Sequence, residues 1–164
     1  MDVRPELILR TWKLDPPCEI DGPWNSEPDK AQWVDPTSGL DCLITRNERM
    51  YNLCGYVGVG PDHPWHGKDY HDCVQRKPCE KTGTWDCDHS PERQLRVHGG
   101  VTYAGACVED ARLCHVPEPG RPDDVWWFGF DCAHAQDLIP GMEVTLRRVG
   151  VRAPTAIFGY ESVY

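Results

Sequence analysis

Apolar stretches alternate along the chain with runs rich in Gly, Pro and polar residues. LDCLITR (40–46) and MYNLCGYVGV (50–59) carry β-branched and aromatic residues on both sides of RNE, which predicts a β-hairpin. VWWFGFDCAH (125–134) is apolar up to Phe130 apart from one glycine. This pattern predicts a strand that is buried on both faces.

Weaker patterns complete the predicted fold. LRVHGGVTYAG (95–105) predicts a strand that enters a glycine pair and returns as a strand. AQDLIPGMEV (135–144) predicts a turn, or one helical turn, that Pro140 ends, and the residues after it have weak strand character. Residues 1–40 are rich in Pro, Asp and Trp and predict an irregular N-terminal segment. With 164 residues, we expect an α+β fold, a compact, strand- and loop-rich single domain with little helix.

Composition narrows the classes of partner. The chain has 15 Gly and 15 Pro, and its 17 Lys and Arg against 26 Asp and Glu give a net charge of −9. This acidity argues against nucleic acid as a partner, because phosphate binding needs a basic surface. No stretch approaches the roughly 20 apolar residues of a membrane span. The N-terminus lacks the pattern of a signal peptide, so we expect a cytoplasmic protein.

Nine cysteines stand out in a chain expected to be cytoplasmic. In a reducing compartment they indicate metal ligands or buried thiols rather than disulfides. Their positions are 18, 42, 54, 73, 79, 87, 107, 114 and 132.

One polar segment has the residues of a zinc site. Zinc prefers four thiolate or imidazole ligands, and a loop without a core gains folding free energy from binding it. A loop over 73–93 that is clipped by zinc is therefore one hypothesis, and free cysteines in a surface loop are the alternative. Cys107, Cys114 and His115 could complete or extend the set. The proposed ligands are Cys73, Cys79, Cys87 and His89.

The motif VHGG (97–100) is a second candidate. Gly99 and Gly100 allow backbone conformations that other residues avoid, so such a turn can hold His98 beside a substrate and expose N–H groups to an anion. The alternative is an ordinary tight turn in which His98 binds a backbone carbonyl.

The end of the apolar strand is the third candidate, since it runs into Asp131, Cys132 and His134. If the chain stays extended, Asp131 and His134 point to opposite faces. If it turns after Phe130, they share one face with Asp137 and form a metal or acid–base site. We expect the turn, with His98, Asp131 and His134 as catalytic residues. The alternative is that Asp131 caps the turn and His134 is a surface residue.

Other side chains are candidates for ligand binding around this pocket. His63 and His66 lie in a loop rich in Gly and Pro, where solvated histidines are the alternative interpretation. Aromatic rings offer large apolar surfaces on which a ligand can stack. The predicted ligand-binding residues are Gly99, Gly100, Tyr103, Tyr56, His63, His66, Trp126 and Trp127.

The chain resembles a family of uncharacterised phage and bacterial proteins over roughly residues 33–141. The resemblance rests on LCGYVGVGPDHPWHGKDY, HSPERQLRVHGGVTYAG and LCHVPEPGRPDDVWWFGFDCAHAQDLIPG. It implies that these blocks form one domain of an intracellular phage or prophage product, and it assigns no activity or site residue. In the family a helix follows the segment that corresponds to 161–164, where this chain stops, so a shortened or divergent C-terminus is expected.

Three functions are compatible with these features. The first is metal-assisted hydrolysis of a small or nucleotide-like substrate in a His/Asp pocket. The second is a binding module that sequesters a nucleotide signal or inhibits a host defence protein. The third is a zinc-stabilised structural or interaction protein without chemistry.

Overall fold

Strands dominate the computed structural model, which describes residues 8–15, 17–19, 21–74, 87–107, 114–117, 119–121 and 123–150. In these parts of the chain six strands form one antiparallel sheet in the order β1-β2-β3-β4-β6-β5. The strands are β1 (Ile8–Trp12), β2 (Lys30–Val34), β3 (Asp41–Arg46), β4 (Leu53–Val59), β5 (Tyr103–Ala106) and β6 (Trp126–Asp131).

The described parts of the chain contain few helices. They are α1 (Pro91–Gln94), α2 (Pro140–Arg148) and a 3-10 turn at Pro23–Asn25. The fold is a single compact α+β domain rich in strands and loops, which confirms the predicted class. No helix in the described ranges is long and apolar enough to cross a membrane.

The predicted hairpin is present as β3 and β4, paired from Arg46 and Leu53 outward. Its turn is longer than expected, because the side chain of Asn47 accepts hydrogen bonds from the backbone N–H groups of Arg49 and Met50. Tyr51 adopts a left-handed backbone conformation with φ 57°. The bonds from Asn47 pair the backbone N–H groups of Arg49 and Met50 within the turn itself, so these groups need no partner in the strands.

The strand predicted from VWWFGF is also confirmed, as β6 lies inside the sheet between β4 and β5. Successive side chains of a strand point to opposite faces, so Trp127 and Phe128 enter two different cores. Trp127, which is 0% exposed, packs with Leu43 on one face. Phe128 packs with Val59 on the other face. We call these the Trp127 face and the Phe128 face.

Three predictions near the glycine pair and Pro140 are wrong. Residues 95–98 form no strand; α1 and an irregular segment precede β5, and only the second half of the predicted strand pair exists. Pro140 does not end a turn but begins α2, since a proline fits the first helical turn, where its missing N–H is not needed. Residues 144–148, predicted to have strand character, continue this helix.

The N-terminal segment is more regular than predicted, because 1–40 contains β1 and β2. The hydrophobic pattern did not predict β2, because the buried polar residue Gln32 lies among its apolar residues. Its position is fixed by buried Arg46, which donates hydrogen bonds to Asp29 (2.8 Å) and Glu27 (2.7 Å). A buried cation is stable only when it is paired in this way.

Candidate metal centres

Three groups of side chains among the described residues could each hold a metal ion. In each group the ligand atoms lie within 4.8 Å of one another. The groups are the loop cluster (Cys73, Cys87, His89), the sheet cluster (Cys107, Cys114, His115) and the histidine centre (His98, His134, Asp137).

The chain turns where β6 ends, and this turn builds half of the histidine centre. Asp131 accepts a hydrogen bond from the N–H of Ala133 (3.0 Å) as the strand stops. Asp137 then accepts the N–H of His134 (2.8 Å), while its own N–H donates to the carbonyl of His134 (3.0 Å). The two reciprocal bonds bring the imidazole and the carboxylate to the same side of the turn.

The glycine pair supplies the other half. Gly99 and Gly100 have φ of +66° and +89°, in the region that favours glycine. The ring of His134 lies against Gly99, where a Cβ atom would come within 2.0 Å of the ring. The rings of His98 and His134 therefore meet edge to face, with 5.3 Å between their centroids.

Asp137 joins the two histidines. The Nε2–H of His98 donates to both carboxylate oxygens, at 2.9 and 2.8 Å. Nδ1 of His134 lies 3.5 Å from one of these oxygens, and it is buried without a hydrogen-bond partner among the described residues. Burial acts to raise the pKa of Asp137, but the bonds from His98 and from the N–H of His134 outweigh it and lower the pKa.

Asp131, predicted as a catalytic residue, lies beside this centre rather than in it. Its Oδ1 is 4.0 Å from Nδ1 of His134, and its Oδ2 accepts the hydroxyl of Thr102 at 3.2 Å. The sequence spacing offered Asp131 and Asp137 equally, since each is three residues from His134. The turn brings Asp137, and not Asp131, into the histidine centre.

The predicted aromatic ligand site is divided by the sheet. Trp127 is buried in the core and offers no surface for stacking. Trp126 faces the opposite side, where its Nε1–H donates to the carbonyl of Lys68 (2.8 Å). Tyr56 and Tyr103 form an edge-to-face pair, with centroids 5.7 Å apart, on the Trp127 face. These rings therefore do not line one pocket.

The loop histidines also serve the packing of the Phe128 face. His63 accepts the N–H of Trp65 (3.2 Å) and lies edge to face with its ring. His66 lies against Trp126, with 6.0 Å between ring centroids. A cavity of about 250 Å³ is lined by other residues, among them Lys13, Trp24 and Asp29.

The loop cluster gathers three of the four predicted zinc ligands. A backbone bond from Val74 to His89 (3.3 Å) joins the two ends of the 73–89 segment. Cys87 is buried, and Nδ1 of His89 is buried without a hydrogen-bond partner in the described ranges. Cys79 lies outside the described residues.

The sheet cluster does not extend the loop cluster, as the sequence had suggested, but forms a group of its own. Sγ of Cys107 lies 3.5 Å from Nδ1 of His115. Burial raises the pKa of Cys114 to about 12, and its hydrogen bond with Cys107 adds to the shift.

Comparisons with protein-family models, curated proteins and solved structures found no match for this chain. A function must therefore be inferred from the chemistry of these three groups.

Proposed function

We propose that the protein is a metal-dependent hydrolase whose ion is bound by His98, His134 and Asp137. The observation that carries the proposal is the convergence of these three side chains, within 4.8 Å, at an exposed turn. Two imidazoles and one carboxylate are a ligand set that zinc and other divalent metals accept.

The exposure of the centre favours catalysis over a structural role. The side chain of His98 is 47% exposed and that of His134 is 36% exposed. Catalytic zinc sites combine three protein ligands with an open position for water, whereas structural sites are closed. An exposed set of three ligands leaves room for both water and substrate.

The surrounding groups supply the rest of the chemistry. A bound ion would lower the pKa of a water molecule to near neutrality. Asp131, whose Oδ1 lies 4.0 Å from Nδ1 of His134, adds a second negative charge beside the proposed ion without a hydrogen bond to that imidazole. The N–H of Gly100 donates to the carbonyl of Val97 (3.1 Å), which closes the turn that carries His98. We propose a small or nucleotide-like substrate, because the centre lies on an open turn.

We also propose that the loop cluster binds zinc in a structural role, with Cys79 as the fourth ligand. Its two thiols and imidazole within 4.8 Å favour zinc over harder metals. Zinc bound by both ends of the polar 73–89 segment would contribute folding free energy to it.

The test combines metal content with turnover. Purified protein would be loaded with Zn²⁺, Mn²⁺ or Fe²⁺ and incubated with a panel of nucleotides and small phosphate and carboxylate esters. We expect hydrolysis that is abolished in His98→Ala, His134→Ala and Asp137→Asn. His63→Ala, which changes a histidine on the Phe128 face, is the matched control and should keep the activity.

Two results would contradict the hydrolase proposal. If the three variants bind as much metal as the wild type, the histidine centre holds no ion. If the wild type binds a nucleotide tightly without hydrolysing it, and the His98→Ala variant no longer binds it, the centre belongs to a binding module instead.

A further inference from the structure

The sheet cluster lies in a different environment from the other two groups. His115 is 4% exposed and packs on the ring of Trp127, with 5.4 Å between centroids. Its Nδ1 faces Cys107, and its Nε2 is buried without a hydrogen-bond partner among the described residues. A buried imidazole without compensating bonds is costly, by about 1–3 kcal/mol for each unmet polar atom. This cost falls on Nε2, so the position of Nδ1 beside the Cys107 thiol, rather than this cost, supports a metal site.

The separation of the ligand atoms fits zinc. A tetrahedral ion with a Zn–S bond of about 2.3 Å and a Zn–N bond of about 2.0–2.1 Å places sulfur and nitrogen about 3.6 Å apart. The distance between Sγ of Cys107 and Nδ1 of His115 is 3.5 Å. Cys114 completes a group in which all three atoms lie within 4.8 Å.

Contacts with the sheet hold the segment that carries two of these ligands. Gln32 donates to the carbonyl of Val116 (2.6 Å) and accepts the N–H of the same residue (2.8 Å). Lys30 donates to the carbonyl of Cys114 (2.6 Å). Residues 114–117 are therefore positioned over β2 by side chains that are distant in sequence.

The remaining ligand is held from the core. Cys107 directly follows β5, and its Sγ accepts the indole N–H of Trp127 at 3.3 Å. Hydrogen bonds of this kind to a ligand sulfur orient it and tune a metal site. Both halves of the cluster are thus fixed by the same face of the sheet.

We propose that Cys107, Cys114 and His115 bind a structural zinc ion that fastens the 114–117 segment to the Trp127 face. On binding, each thiol loses its proton to the solvent and forms a Zn–S bond, with no change in oxidation state. Among the described residues, these three side chains supply three of the four ligands that zinc prefers. This site is independent of the proposed hydrolase activity.

Metal analysis tests the site. Zinc would be counted in Cys107→Ser and Cys114→Ser, with Cys42→Ser as the matched control, since Cys42 is a half-buried thiol outside all three groups. We expect each cluster variant to lose one zinc equivalent relative to the wild type and the control to lose none. His134→Ala, combined with Cys114→Ser, should lose a further equivalent only if the histidine centre also holds zinc.

A second measurement uses the wild-type protein, in case the cluster variants fail to fold. Native protein would be alkylated with and without a strong chelator, and each cysteine would be read by peptide mass spectrometry. We expect Cys107 and Cys114 to be protected until the chelator removes the metal, while Cys42 reacts equally in both conditions. Equal labelling of Cys107 and Cys114 with and without chelator, or a disulfide between them, would overturn the proposal.

Discussion

The sheet cluster and the histidine centre lie near opposite limits of what a metal site in one small domain can be. The sheet cluster is rich in sulfur; its His115 is buried against the ring of Trp127, and its two thiols are half-buried. The histidine centre has nitrogen and oxygen ligands on an exposed turn. Closed sulfur sites are typical of structural zinc, and open sites of catalytic metals.

Ligand type and burial together therefore indicate what role a metal site can have. A ligand set that shares its contacts with the core is coupled to folding. A set on a surface turn can lose its metal while the sheet remains intact. Each of the following variants should therefore affect one region far more than the other.

The largest effect is expected for Trp127→Ala. Removing this side chain leaves a cavity beside Leu43 and takes away the N–H that Cys107 accepts. We expect a loss of about 3–5 kcal/mol in the free energy of unfolding, together with loss of zinc from the sheet cluster. Urea denaturation and metal analysis measure the two effects. Trp126→Ala is the control: it should cost less and leave that zinc bound.

A change in the glycine pair should act on the histidine centre. In Gly99→Ala the new Cβ meets the ring of His134 at 2.0 Å, at a backbone φ of +66°. We expect a destabilisation of about 1–3 kcal/mol and loss of metal from this centre only. In the control Gly100→Ala no atom lies within 4 Å of the new Cβ, so backbone strain of about 1 kcal/mol should be its whole effect. Equal metal loss in both variants would contradict the role of the Gly99 contact.

Substitutions of the two acids beside His134 should lower the metal affinity of the centre to different extents, with little effect on the free energy of unfolding. Asp137→Asn removes a carboxylate that contacts both histidines, and we expect the affinity of this centre for metal to fall more than 100-fold. Asp131→Asn alters only a neighbouring acid, so the loss should be about 10–100-fold at most. Titration calorimetry measures both affinities. A larger loss of metal affinity in Asp131→Asn would show that Asp131, and not Asp137, is the ligand.

The smallest effect is expected in the alkylation rate of Cys42, a half-buried thiol outside the three groups. Burial raises the pKa of Cys42 to about 11, so roughly one part in a thousand is thiolate at pH 8. We expect its alkylation to be slow there and to accelerate about tenfold per pH unit until the pH nears the pKa. The same rate with and without chelator would distinguish this thiol from those of the sheet cluster. A rate that does not change with pH would contradict the shift.

Local patterns predicted the elements whose partners are close in sequence or whose burial is uniform. The β3–β4 hairpin and the apolar strand β6 follow from their own residues. β2 did not, because Gln32 is buried by a contact with Val116 that no local pattern reveals. Pro140 was misread because a proline that ends one element can equally begin the next.

The chemistry available to this protein follows from its residues and their local order: thiols, imidazoles and carboxylates lie beside strands and glycine turns. The sequence also indicated the loop cluster, whose ligands Cys73, Cys87 and His89 lie close along the chain. The grouping of the other ligands depends on the tertiary fold. His98 meets Asp137 across 39 residues, and the sheet cluster, although its ligands lie close in sequence, is held against the sheet by Lys30 and Gln32 of β2. Such meetings depend on strand order and on one turn, which are set by the packing of the whole sheet rather than by any single segment.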